Sequence, residues 1–128
     1  MPTLLVVDDE PTVLHIFGRV FRSEDLVLRT ASSGAEALQV LSEGAVDAVV
    51  LDIVLPDASG LDVFQQIRAK DSRLPVVFMT AGGTSDTAIE AMKLGAFEYL
   101  LKPLDFANVR GVIERAFATR RLMCDPVT

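Results

Sequence analysis

One cysteine, one histidine and no long apolar run: each scarcity removes a class of function. Cys124 lies in the tail "MCDPVT" and has no second cysteine to pair with. Neither an intramolecular disulfide nor a cysteine-based zinc site can therefore be built, which suits a reducing compartment. His15, in "VLHIF", is the only histidine; far from other candidate ligands, it reads as a helix-surface or core residue and is given no catalytic role. No stretch of about 18 uninterrupted apolar residues occurs, and "MPTLLVVDDE" has no basic segment leading into a cleavable apolar one. A soluble, cytoplasmic chain without a membrane partner is expected. Positive charge is also short, 12 Lys and Arg against 18 Asp and Glu, for a formal net charge of −6. Arg110, Arg115, Arg120 and Arg121 do cluster, but within the last helical pattern, where they read as a solvated face and a favourable helix C-terminus. Counterion release needs denser cations than this, so direct nucleic-acid binding is not expected.

What the chain does have is a strict alternation. Half of its 128 residues are apolar, enough for one well-filled core. Five short runs, residues 3–8, 26–31, 48–52, 75–80 and 97–101, are β-branched or aromatic and bounded by turn residues. "AVVL" and "VVFM" are apolar without alternation, as in strands covered on both faces of a parallel sheet. Between the runs, apolar residues recur at helical spacing, for example Val13, Ile16, Phe17, Val20 and Phe21, or Phe106, Val109, Ile113, Ala116 and Phe117. Pro11 suits a first helical turn; Gly44 and Gly95 suit helix ends. Five βα units predict a doubly wound α/β domain of three layers with right-handed crossovers.

In such sheets ligands bind beyond the carboxyl ends of the strands, where the winding reverses. Those ends carry Asp8 and Asp9, then Asp52, Thr80 and Lys102. Carboxylates about 4 Å apart repel by several kcal/mol even at an effective dielectric near 20, so an ionised cluster calls for a cation or a raised pKa. A partly hydrated Mg²⁺ would resolve the conflict with one or two protein carboxylates. The plainer reading of "DDE" is a loop and helix N-terminus where negative charge is favourable. Asp52 follows a fully apolar strand, and "LPDASG" turns the chain directly after it, so its charge needs a partner or a task; Asp57 reads as a turn residue. Carboxylates for a metal, one of them a nucleophile, with a hydroxyl and a lysine, are the parts for phosphoryl transfer to an aspartate.

"VVDDEP", "LDIVLPDASG", "MTAGG" and "AFEYLLKP", in this order, make residues 3–121 resemble the receiver domain of two-component response regulators. The resemblance implies a flavodoxin-like (βα)5 fold with a five-stranded parallel sheet in order 2-1-3-4-5. It assigns a receiver domain to residues 1–121 and leaves 122–128 as a tail or the start of an interdomain linker. It makes Asp52 the acceptor of a phosphoryl group from a histidine kinase or histidine phosphotransfer protein. It makes Asp9 the direct ligand of Mg²⁺ (with Mn²⁺ as a substitute), Asp8 a ligand mainly through water, and Val54 the source of a backbone carbonyl; Glu10 would sit at the rim. Thr80 and Lys102 become a switch pair, Tyr99 an aromatic that turns with Thr80, and the Lys102–Pro103 bond is expected to be cis. "TSDTAIEAMKLGAFEYLLKPLD" is most similar to receivers of enhancer-binding AAA+ activators. An output domain in cis controlling transcription is therefore expected, as is a homodimer through the fourth helix, fifth strand and fifth helix. Gly82 and Gly83 would leave the loop after Thr80 free to move.

Other readings stay open on the residues alone. Tyr99 fits a half-buried strand position and Lys102 a surface lysine. A metal-dependent phosphatase with an aspartyl-phosphate intermediate would want a second acid two residues after the nucleophile, where Val54 stands. A non-phosphorylated docking module is the third possibility. The expectation is a switch, not a turnover enzyme, and one that loses phosphate slowly, because Val54 and Gly82 offer no polar side chain to a hydrolytic water.

Overall fold

The computed structural model describes residues 1–22, 25–81 and 85–124. Among them the chain runs β1 (Thr3–Val7), α1 (Pro11–Val20), β2 (Val27–Ala31), α2 (Gly34–Ser42), β3 (Ala48–Asp52), α3 (Gly60–Lys70), β4 (Val76–Thr80), α4 (Ser85–Lys93), β5 (Glu98–Leu101) and α5 (Phe106–Cys124). All pairings are parallel, in the order β2-β1-β3-β4-β5. This is the expected three-layer fold. Gly82, Gly83 and residues 125–128 of the tail lie outside the described residues.

Alternation of side chains across each strand builds two cores. Leu5, Val7, Val49, Leu51, Val76 and Phe78 pack with Ala37 of α2, Val63, Phe64 and Ile67 of α3 and Ala91 of α4. Leu4, Val6, Val50, Val77 and Met79 pack on the other face with Phe17 of α1 and Val109, Val112, Ile113 and Ala116 of α5. Edge-to-face rings lock each layer: Phe64 on Phe78 at 5.2 Å and Phe17 on Phe106 at 5.3 Å between centroids. β1, β3 and β4 are buried along their whole length. That burial explains their unbroken apolar runs.

Strand boundaries shift slightly from the sequence reading, for local reasons. Pro75 has no N–H, and β4 starts at Val76, although the Pro75 carbonyl still accepts from the Val49 N–H at 3.0 Å. β1 stops at Val7, yet the Asp8 N–H still donates to the Ala31 carbonyl at 3.1 Å, so Asp8 leaves the sheet with its backbone anchored. Pro11 opens α1, and Gly44 (φ 82°) and Gly95 (φ 105°) follow α2 and α4 in the left-handed region that glycine tolerates. No helix among the described residues is long and apolar enough to cross a membrane.

Candidate functional site

The winding reverses between β1 and β3, which are neighbours, so the carboxyl ends of these strands converge. Asp8 is fully buried there and Asp52 is 6% exposed. β4 and β5 follow on the same side, bringing Thr80, also buried, and Lys102. The Lys102 N–H donates to the Thr80 carbonyl at 2.8 Å, tying the two strand ends together. The Lys102–Pro103 bond that follows is cis, as expected.

The Lys102 ammonium lies at the centre. Its Nζ donates to Asp8 Oδ2 at 2.8 Å, Asp52 Oδ2 at 3.1 Å and Glu10 Oε1 at 3.2 Å. An ammonium has three N–H donors, and three carboxylates take them. Among the described residues, Asp8, Glu10 and Asp52 also form the group of side chains able to hold one metal ion, with an oxygen of each within 4.8 Å of the others. All donors are hard oxygens and their charge exceeds that of Lys102, which fits Mg²⁺. The geometry differs from the expected ligand pair in one respect: Asp9 is exposed and stands outside this group, while Glu10 is inside it. Glu10 is the N-cap residue of α1 but makes no side-chain cap bond; its carboxylate is engaged by Lys102 instead.

The electrostatics follow from burial. Removal from water raises the Asp52 pKa; the Val54 N–H, donating to Asp52 Oδ1 at 3.2 Å, and Lys102 pull it back, and Asp8 pushes it up again, for a net rise. Burial likewise works against the Lys102 charge, but its hydrogen bonds to Asp8 and Asp52 outweigh this, and its pKa is raised. The site thus holds a permanent cation beside an excess of negative charge.

Tyr99 is 39% exposed on β5. With Leu101, Pro103, Asn108 and Arg115 it lines a groove of about 380 Å³ between β5 and α5. The Val54 residue is 74% exposed, and its side chain offers no polar group beside Asp52. Asp57 does more than turn the chain: Oδ1 accepts from the Gly34 N–H at 2.8 Å and Oδ2 from the Ala35 N–H at 3.0 Å, capping α2 from a loop 23 residues away. Those backbone bonds hold its carboxyl below the usual range. Only the folded topology brings that loop to α2, so no local pattern could have announced the contact. Glu10 did have a signal, as the third acid of "DDE".

A doubly wound domain with an aspartate, a lysine and two further acids at its switch point defines a class, and the chain belongs to it: the response regulator receiver domain family, whose model matches residues 4–114. The chain is 36% identical over 115 residues to the transcriptional regulatory protein ZraR of Escherichia coli K12. It is 38% identical over 116 residues to the response regulator protein PilR of Pseudomonas aeruginosa. It spans about a quarter of the length of these relatives, 26% of each. Among solved structures, a receiver domain protein from Clostridium thermocellum superposes with a TM-score of 0.90 at 34% identity, covering 96% of this chain and 99% of that one. NtrX from Brucella abortus, in a complex with ADP, gives 0.89 at 32% identity over 96% of this chain and 29% of its own.

Proposed function

We propose that the domain is a phosphoryl-accepting switch in which Asp52 takes a phosphoryl group from a histidine kinase or histidine phosphotransfer protein. The observation that carries this reading is the buried Asp52 carboxylate within hydrogen-bond reach of Lys102 and against Asp8 and Glu10. Burial makes Asp52 a stronger base than an exposed aspartate, and its attack on phosphorus forms the acyl phosphate as the bond from phosphorus to the donor imidazole nitrogen breaks. Mg²⁺, held by Asp8, Asp9, Asp52 and the Val54 carbonyl with Glu10 in reach, would offset the charge of the phosphoryl oxygens. Lys102, already fixed at the acceptor, supplies a cation to one of them, and Thr80 a hydroxyl.

The readout follows from what the added charge would draw in. Thr80 moving toward the phosphoryl group would let Tyr99 turn inward and change the α4-β5-α5 face, where Ile89, Met92, Leu94, Tyr99 and Leu101 are exposed. That face is the proposed surface for a homodimer or for an output domain controlling transcription, as in enhancer-binding activators. The apolar, exposed Val54 offers no general acid, which favours a switch over a turnover phosphatase. The test is intact mass after incubation with Mg²⁺ and acetyl phosphate. One phosphoryl adduct is expected, lost with EDTA and absent in Asp52→Asn; steady phosphate release over many turnovers would favour the phosphatase.

A further inference from the structure

The loop that follows the acceptor is braced from outside, at a residue with no part in the chemistry. Residues 53–59 are closed on themselves by the Gly60 N–H donating to the Ile53 carbonyl at 2.6 Å and by an antiparallel bridge between Val54 and Ser59. Within this loop Val54 holds the acceptor through its N–H, 3.2 Å from Asp52 Oδ1, yet its side chain is 74% exposed. Val54 therefore has little packing of its own to fix its backbone. Two kinds of tie leave the loop: at its start the Ile53 N–H donates to the Met79 carbonyl at 3.1 Å and the Ile53 and Leu55 side chains enter the core, and at its far side the Asp57 carboxylate is bonded to the Gly34 and Ala35 N–H groups of α2.

The helix end is suited to that task. Ser33 Oγ accepts from the Glu36 N–H at 3.1 Å, and Asp57 takes the two preceding N–H groups, which this local cap leaves over. A carboxylate there also meets the positive end of the helix dipole. Glycine leaves room for the brace at Gly34 and for the return of the loop past Asp52 at Gly60. A Cβ at Gly34 would lie 2.8 Å from Val63 Cγ2 and 3.4 Å from Asp57 Oδ1. One at Gly60 would overlap the Asp52 carbonyl oxygen and lie 2.7 Å from Ile53 Cα.

We propose that Asp57 is a positioning residue for the acceptor: by anchoring the loop to α2 it sets the Val54 N–H and carbonyl relative to Asp52, and makes the first turn of α2 part of the support of the site. The metal and phosphoryl consequences rest on the function proposed above; the backbone consequence does not. The test compares wild type with Asp57→Ala and Asp57→Asn, both surface changes that leave the cores intact. Residue-resolved amide hydrogen exchange is measured in metal-free buffer, followed by a Mg²⁺ titration read from the Val54 amide shift. Asp57→Ala is expected to speed exchange at Val54 and to weaken Mg²⁺ on the order of tenfold, as loss of a ligand-orienting partner does elsewhere, with Asp57→Asn between it and wild type. Exchange at Val50, inside β3, should not change. Faster exchange confined to Gly34 and Ala35, with Val54 and the Mg²⁺ midpoint as in wild type, would overturn the proposal and leave Asp57 a helix cap only. If wild type takes up neither Mg²⁺ nor a phosphoryl group, the proposed function fails, and the exchange at Val54 still decides the brace.

Discussion

Neutralising Asp52, the proposed acceptor, should make the metal-free protein more stable. Asp52 lies within 4.8 Å of the Asp8 and Glu10 carboxylates, so at an effective dielectric near 20 each repulsion is at least about 3.5 kcal/mol. Its attraction to Lys102 at 3.1 Å is about 5 kcal/mol on the same scale. Solvent weakens the Glu10 contribution, because that side chain is 60% exposed, and the charge interactions come near to cancelling. The cost of taking Asp52 out of water is then only partly offset by its hydrogen bonds from the Val54 N–H and Lys102, in line with its raised pKa. Asp52→Asn keeps the shape and removes that cost, for an expected gain of about 1–2 kcal/mol on the mutational scale for an incompletely compensated buried polar group, or roughly 0.5–1 M in the urea midpoint in EDTA. The sign with pH follows. Because the folded pKa is raised, the penalty is absent below the unfolded value, near ~3.9, grows as pH rises toward the folded value and is complete above it. The gain should therefore vanish in acid. Saturating Mg²⁺ should stabilise wild type more than the variant and narrow the gap. An Asp52→Asn midpoint at or below that of wild type in EDTA at neutral pH would mean that the Asp52 charge does not destabilise the metal-free fold.

Phe17, fully buried and in ring contact with Phe21 and Phe106, should cost about 3–5 kcal/mol when truncated to Ala, measured by urea unfolding. Arg120 pairs with Asp71 through two bonds, of 3.0 and 2.7 Å, joining the end of α5 to the end of α3, and the pair lowers the Asp71 pKa. Asp71 is partly exposed, so a double-mutant cycle should give a coupling of only about 0.5–1 kcal/mol at pH 7. That coupling is present above the unfolded Asp pKa and should disappear as pH falls through the lower folded value. Beside the acceptor, Val54→Glu should place a carboxylate where a water can be oriented and shorten the life of the acyl phosphate by about tenfold or more, followed by phosphate release. Decay of the wild-type adduct within seconds would contradict the slow-loss expectation.

The sheet and its site were legible to different degrees. Unbroken apolar runs ending in Asp8, Asp52 and Thr80 mark buried parallel strands and place the chemistry at their carboxyl ends, because both follow from local pattern. The strand order entered through the family resemblance, since periodicity does not say which strands are neighbours. Contacts between distant segments were not legible: Glu10 meets Lys102 across 92 positions and Asp57 meets Gly34 across 23. In the sequence Glu10 reads as a rim acid and Asp57 as a turn residue. Each side chain acquires its partner only when the βα units stack.

If the domain is a phosphoryl-accepting switch, Asp52 is where the phosphoryl group goes. Treatment with Mg²⁺ and acetyl phosphate, reduction of the product with labelled borohydride and peptide mapping test it directly, because an acyl phosphate is trapped where it formed. Label is expected in the single peptide containing Asp52, and none when EDTA is added or in Asp52→Asn. Label at Asp8, Asp9 or Asp57, or none in wild type, would contradict it.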